Sequence, residues 1–160
     1  MKVRDMVIHE DDAAQINQLL SRFLGDSGAA EVLLIDRSGQ LLAMDGVSRA
    51  LDTVSISALA AAAFSSTSAM AQLLGESEFT VLFHEGLKQS IHVSTVDDES
   101  ILLAIFDERT TVGMVRLFAK EASKAVGAVL AATRARPRRV GEFAAPLSPD
   151  EARQLYPPRG

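Results

Sequence analysis

Between Asp52 and Leu74 the chain runs without a single glycine or proline, is rich in alanine, and meets a glycine only at Gly75. Alanine has the highest helix propensity, Asp52 suits an N-terminus and Gly75 a C-cap. The segment is therefore predicted to be a helix, the longest in the chain. Along it Ala61, Ser65, Ser68 and Ala69 fall at i, i+4, i+7 and i+8. This stripe has almost no side-chain bulk, so a second backbone could approach it closely. A competing reading turns the small residues toward the protein's own sheet; against it, Ile56, Leu59, Met70 and Leu73 offer a larger face for the core. Leu51 to Leu74 is also the longest apolar stretch, but Asp52, Thr53, Gln72 and six further serines or threonines make it a poor membrane span.

The other elements follow from periodicity and turn chemistry. Ile16, Leu19, Leu20, Phe23 and Leu24 recur at helical spacing from Glu10 to Leu24, with Asp11 and Asp12 near the positive end of the dipole and Gly25 as a stop. Ala29 to Ile35 and Gln40 to Met44 are short apolar runs around the turn residues Asp36 to Gly39 and predict a hairpin. Three strands are expected after the long helix: Phe79 to Phe83, Leu87 to Val96 beyond a Glu85-Gly86 turn, and Ile101 to Phe106 beyond Asp97 to Ser100. A last helix, Thr111 to Thr133, places Val115, Ala119, Ala122, Val126 and Val129 on one side. The order αββαβββα predicts an α+β fold, a five-stranded antiparallel sheet flanked by helices. Residues 1–132 form one domain on this reading, 133–147 an arginine- and proline-containing linker, and 148–160 a short C-terminal helix and tail.

Composition removes several function classes. With no cysteine there is neither a disulfide framework nor a thiolate metal site, and the chain is expected to be a soluble, cytoplasmic protein. Met1 to Asp12 has no apolar core before a small-residue cleavage site, so no signal peptide is expected. Residues 1–132 hold 10 Lys/Arg against 18 Asp/Glu, whereas residues 133–160 hold 6 against 3. An acidic body with one tyrosine and no tryptophan lacks the basic face and stacking aromatics of a nucleic-acid binder.

No catalytic motif emerges. A Gly-rich loop ending in Gly-Lys-Ser/Thr is absent, as is a Gly-x-Ser-x-Gly elbow. His9, His84 and His92 lack metal-ligand spacing; pairing across Glu85-Gly86 would set His84 beside Leu87 and leave His92 far along the ladder. No metal or cofactor is expected. The acidic residues at strand ends, including Asp36, Asp45, Asp97 and Asp107, read as turn formers rather than paired catalytic carboxylates. Arg116, Lys120 and Lys124 form a basic row on the last helix, either its solvated side or a binding surface. Arg109 could donate to a partner phosphate or pair with Asp107.

Four segments, Leu33 to Leu41 (LLIDRSGQL), Leu73 to Phe79 (LLGESEF), His84-Glu85-Gly86 and Ile105 to Arg116 (IFDERTTVGMVR), together resemble the Roadblock, or dynein light-chain, family. The likeness runs from about Val7 to Leu130 and is specific in combination. It implies a profilin-like sheet and a homodimer whose second helices pack antiparallel, with Ala61, Ser65, Ser68 and Ala69 in the interface. It also implies a regulator of a small Ras-like GTPase in bacterial cell polarity and gliding motility, located in the cytoplasm, including the cell pole. Such a regulator stimulates GTP hydrolysis without an active site of its own. By position, Ser65, Ala69, Arg116, Lys120 and Lys124 become the GTPase-contacting residues. A scaffolding adaptor, a nucleotide-exchange regulator and a small-ligand sensory domain remain open alternatives.

Overall fold

The computed structural model describes residues 8–46 and 50–136. Eight elements follow in the predicted order: α1 (Glu10–Ser27), β1 (Glu31–Asp36), β2 (Leu41–Gly46), α2 (Thr53–Leu73), β3 (Val81–His84), β4 (Ser90–Asp97), β5 (Ser100–Phe106) and α3 (Val112–Ala135). The strands form one sheet in the order β2-β1-β5-β4-β3, antiparallel at every step. The segments expected as a linker from Pro137 onward and as a C-terminal helix lie outside the described residues.

The sheet is covered on both sides. Val32, Leu34, Leu102, Ala104 and Phe106 pack with Ile16, Leu20 and Phe23 of α1 and Val115, Ala119, Val126 and Leu130 of α3. The alternate residues Leu33, Ile35, Val93, Ile101, Leu103 and Ile105 meet Ala60, Ala61 and Phe64 of α2. Two-residue alternation thus sorts β1 and β5 into two cores, which is why these strands read as continuous apolar runs.

Local chemistry sets the helix ends. α1 passes through Gly25 and stops at Gly28, whose φ of 75° is left-handed and whose N–H donates to Leu24 O at 3.0 Å. Gly28 also lies under Thr110: an added Cβ would meet Thr110 Cβ at 3.1 Å, and the Thr110 hydroxyl donates to Ser27 O. That close approach selects Gly28 over Gly25 as the terminus. At the start of α2, Asp52 accepts from Ser55 N at 3.0 Å and from the Ser55 hydroxyl at 2.6 Å. These donors hold its carboxyl below the usual carboxylate range.

Three further expectations are corrected. α3, at 24 residues, exceeds the 21 of α2 and continues past Thr133 to Ala135. Its last turn is tied down by acids: Arg134 pairs with Asp97 and Glu99, while Thr133 and Arg136 both donate to the buried Asp12 of α1 at 3.0 Å. The β3–β4 connection is a longer loop from Glu85 to Gln89, in which Leu87 is fully exposed. His84 therefore pairs with Ile91, and His92 with Phe83.

The third correction concerns α2. Its inner face is Ser57, Ala60, Ala61, Phe64 and Ala71, not Leu59, Met70 and Leu73, which point away from the sheet. Only Ile56 of the expected larger face is partly packed. The branched side chains on this side of the sheet already fill the layer, so the helix must approach with small residues. Phe64 is the single large insertion, 2% exposed, with the Arg37 guanidinium 5.6 Å above its ring. Arg37 is in turn ion-paired with Glu78. Phe64→Ala is expected to lower unfolding free energy by about 3–5 kcal/mol in urea titrations, as for other buried aromatics; a loss under about 1 kcal/mol would show that α2 is not anchored there.

Candidate functional site

One side of α2 packs on the sheet and the other is open. Leu59, Ser66, Met70 and Leu73 fall at i, i+7, i+11 and i+14, and Leu59, Met70 and Leu73 are 69%, 51% and 88% exposed. Val54 and Leu74 are exposed as well. A cluster of solvent-facing aliphatic side chains on one helix marks a contact surface more often than chance exposure. By length and composition alone α2 is apolar enough to cross a membrane, a test that core helices also meet.

The small-residue stripe is divided by this orientation. Ala61 is buried against the sheet, Ser65 and Ala69 are exposed, and Ser68 is intermediate, its buried hydroxyl without a hydrogen-bond partner among the described residues. Ser65 and Ala69 thus border the outer aliphatic cluster. Spacing alone identified the stripe; it could not say which of two apolar sides of α2 met the sheet.

Arg116, Lys120 and Lys124 are brought together as expected. They stand one turn apart on α3 and line a cleft of about 450 Å³ against β4 and the start of β3. Because α2 and α3 cover opposite faces of the sheet, this row and the Ser65/Ala69 edge do not share one surface within a chain. Arg109 pairs with Asp107: Nε donates to Oδ1 at 3.1 Å and to Oδ2 at 3.2 Å, and Nη2 donates to Oδ2 at 2.9 Å. Those hydrogen bonds draw the Asp107 carboxyl below its ordinary range.

The Roadblock/LC7 domain model matches residues 15–106, from the middle of α1 to the end of β5. The chain belongs to the Roadblock/LC7 family. It is 35% identical to Myxococcus xanthus MglB over 79% of this chain and 96% of that one, with a TM-score of 0.74. A Thermus thermophilus protein described as gliding protein MglB is 28% identical, over 80% and 97% of the two chains, TM-score 0.76. An MglB described as having a tetrameric arrangement is 27% identical, over 81% and 97%, TM-score 0.77. Acanthamoeba castellanii profilin II, 13% identical with a TM-score of 0.50 over 70% and 96%, shares the fold alone. A comparison with curated protein sequences finds no match.

One residue of this Roadblock/LC7 domain was not singled out by sequence reasoning as a cleft residue. Opposite residues of an antiparallel pair share a face, so His92 lies on the α3 side with Phe83 and Ala104, while His84 lies with Ile91 on the α2 side. The two imidazoles are therefore on opposite faces, and no group of three or more metal-binding side chains occurs among the described residues. His92 is 1% exposed and lines the cleft beneath Arg116. The signal that could have found it is the alternation within β4, where Val93 separates by side from His92, Ser94 and Val96.

Burial and, second, the charge of Arg116 push the His92 imidazole below its ordinary value. The unfolded chain therefore binds more protons than the folded one as pH falls through the usual histidine range. Stability is fully present above the unfolded pKa and is lost as pH falls through the depressed folded value. The urea midpoint is expected to drop between about pH 7.5 and about pH 5, and His92→Gln to flatten that slope. An unchanged slope in the variant would contradict the assignment to His92.

Proposed function

We propose that this chain is a homodimeric regulator that binds a small Ras-like GTPase and stimulates its GTP hydrolysis in bacterial cell polarity or motility. The open aliphatic face of α2 carries the reading, since it supplies a surface that a lone chain leaves in water. Two copies packed through this face would hide Leu59, Met70 and Leu73 and set two Ser65/Ala69 edges side by side. The likeness to MglB proteins, one described as a gliding protein and one as tetrameric, supports both the assembly and the process.

In this reading the regulator contributes no reacting group. Its role is to bind the hydrolysis-competent arrangement of the switch loops better than the relaxed one, which shifts the GTPase toward it. The arginine that neutralises charge at the γ-phosphate belongs to the GTPase itself. Ser65 and Ala69 are the proposed contacts at the paired α2 helices. Arg116, Lys120 and Lys124 are proposed to meet acidic parts of the same partner from the second chain or from beyond the sheet edge. The protein would act in the cytoplasm, including the cell pole.

The test is phosphate release by the Ras-like GTPase encoded nearest to this chain, measured under multiple turnover. Stimulation is expected to saturate at two chains per GTPase, and Ala69→Arg, which puts bulk and charge on the contact edge, to weaken it by at least about tenfold. Tight binding without stimulation would replace activation by an adaptor role. An Ala69→Arg protein as active as the wild type would remove the α2 edge from the GTPase contact.

A further inference from the structure

We propose that the cleft between α3 and β3–β4 is a binding site for a small ligand carrying two or more phosphate groups. This proposal does not rest on the GTPase reading, and it gives Arg116, Lys120 and Lys124 an occupant that would compete with the acidic partner surface named there. Its cations are the first observation. Among the described residues Arg22, Arg37, Arg109, Arg134 and Arg136 each make an ion pair, and Arg116 does not. Lys120 and Lys124 also make no ion pair among the described residues, although acidic side chains outnumber basic ones through residues 1–132. No carboxylate among the described residues lines the cleft. Three like charges held one turn apart repel one another, and an anion between them would remove that repulsion.

The second observation is independent of the row. His92 sits in the cleft 1% exposed, and neither Nδ1 nor Nε2 has a hydrogen-bond partner among the described residues. A buried polar ring without a partner is rare and calls for one. Its surroundings are made by Phe83 and Ala104 on the neighbouring strands and by Arg116 across the cleft. A neutral imidazole keeps one N–H, which can be donated to a phosphate oxygen.

Donors dominate the rest of the lining. Ser123 Oγ and Ser94 Oγ lie 3.1 Å apart, so one hydroxyl proton of the pair is left to donate. Guanidinium, two ammonium groups, an imidazole N–H and hydroxyls together call for an acceptor-rich anion, and a planar guanidinium is suited to paired phosphate oxygens. From Arg116 to Lys124 the row spans about 12 Å of helix, longer than one phosphate. The volume of about 450 Å³ is that of a small-molecule site. Among the described residues no aromatic ring other than that imidazole lines it, so the phosphates rather than a stacked base are recognised.

The experiment is calorimetric titration of the full chain with inorganic pyrophosphate, at ionic strength held constant with sodium chloride, alongside imidazole proton NMR. One saturable site per chain is expected, with a shift of the His92 resonances. Lys120→Ala, an exposed substitution that leaves the core intact, is expected to weaken binding by about tenfold, and His92→Gln to weaken it while circular dichroism is unchanged. GTP as a second titrant separates the sources: affinity equal to that of pyrophosphate means recognition of phosphates alone, and tighter binding adds a nucleoside contact. Either of those outcomes supports the site. Absence of saturable binding, or equal affinity in wild type and Lys120→Ala, overturns it.

Discussion

The ladder between β1 and β5 is the constraint on which the rest of the molecule depends. It pairs Glu31 with Ile105 at one end and Asp36 with Ser100 at the other, joining residues 64 to 74 apart in the chain. Both strands are buried on both sides, so each successive side chain commits to one of two cores. A slip of one residue would exchange every partner of α2 with every partner of α1 and α3. Once that register exists, the hairpin to β2 and the meander through β4 and β3 extend the sheet outward, and each helix has a defined face to cover.

The two faces are covered unequally. α1 and α3 lie together over one side and are joined at their ends by the buried Asp12, which takes hydrogen bonds from Thr133 and Arg136. α2 alone spans the other side, presenting small residues inward and Leu59, Met70 and Leu73 outward. Burying an aliphatic side chain fully is worth about 1.5–3 kcal/mol, so several such residues on one helix favour association strongly. The two proposed surfaces are separated by the sheet, with the apolar one on α2 and the cationic one on α3.

Much of the fold was legible because it rests on local signals: alternation in β1 and β5, the Asp52 cap, the turn at Asp36 to Gly39, and helical periodicity in α1 and α3. The element order and antiparallel sheet followed from these. What escaped depended on tertiary contact. Gly25 and Gly28 are equivalent as stop signals until Thr110 is placed against one of them. Both sides of α2 are apolar, so composition could not show that Phe64 enters the core while Leu59 and Met70 face outward. At the candidate site, the row Arg116, Lys120 and Lys124 was visible from helical spacing. The role of His92 was hidden because the β3–β4 loop was read too short, which misplaced its register.

The central claim is that the outer face of α2 is closed by a second copy of the chain. Sedimentation equilibrium of the 160-residue chain measures this directly. The account predicts a mass of twice 17.1 kDa for the wild type, and a shift toward a single chain for Leu59→Glu, whose core packing is untouched. A wild-type mass of 17.1 kDa at concentrations up to on the order of 100 μM would contradict it.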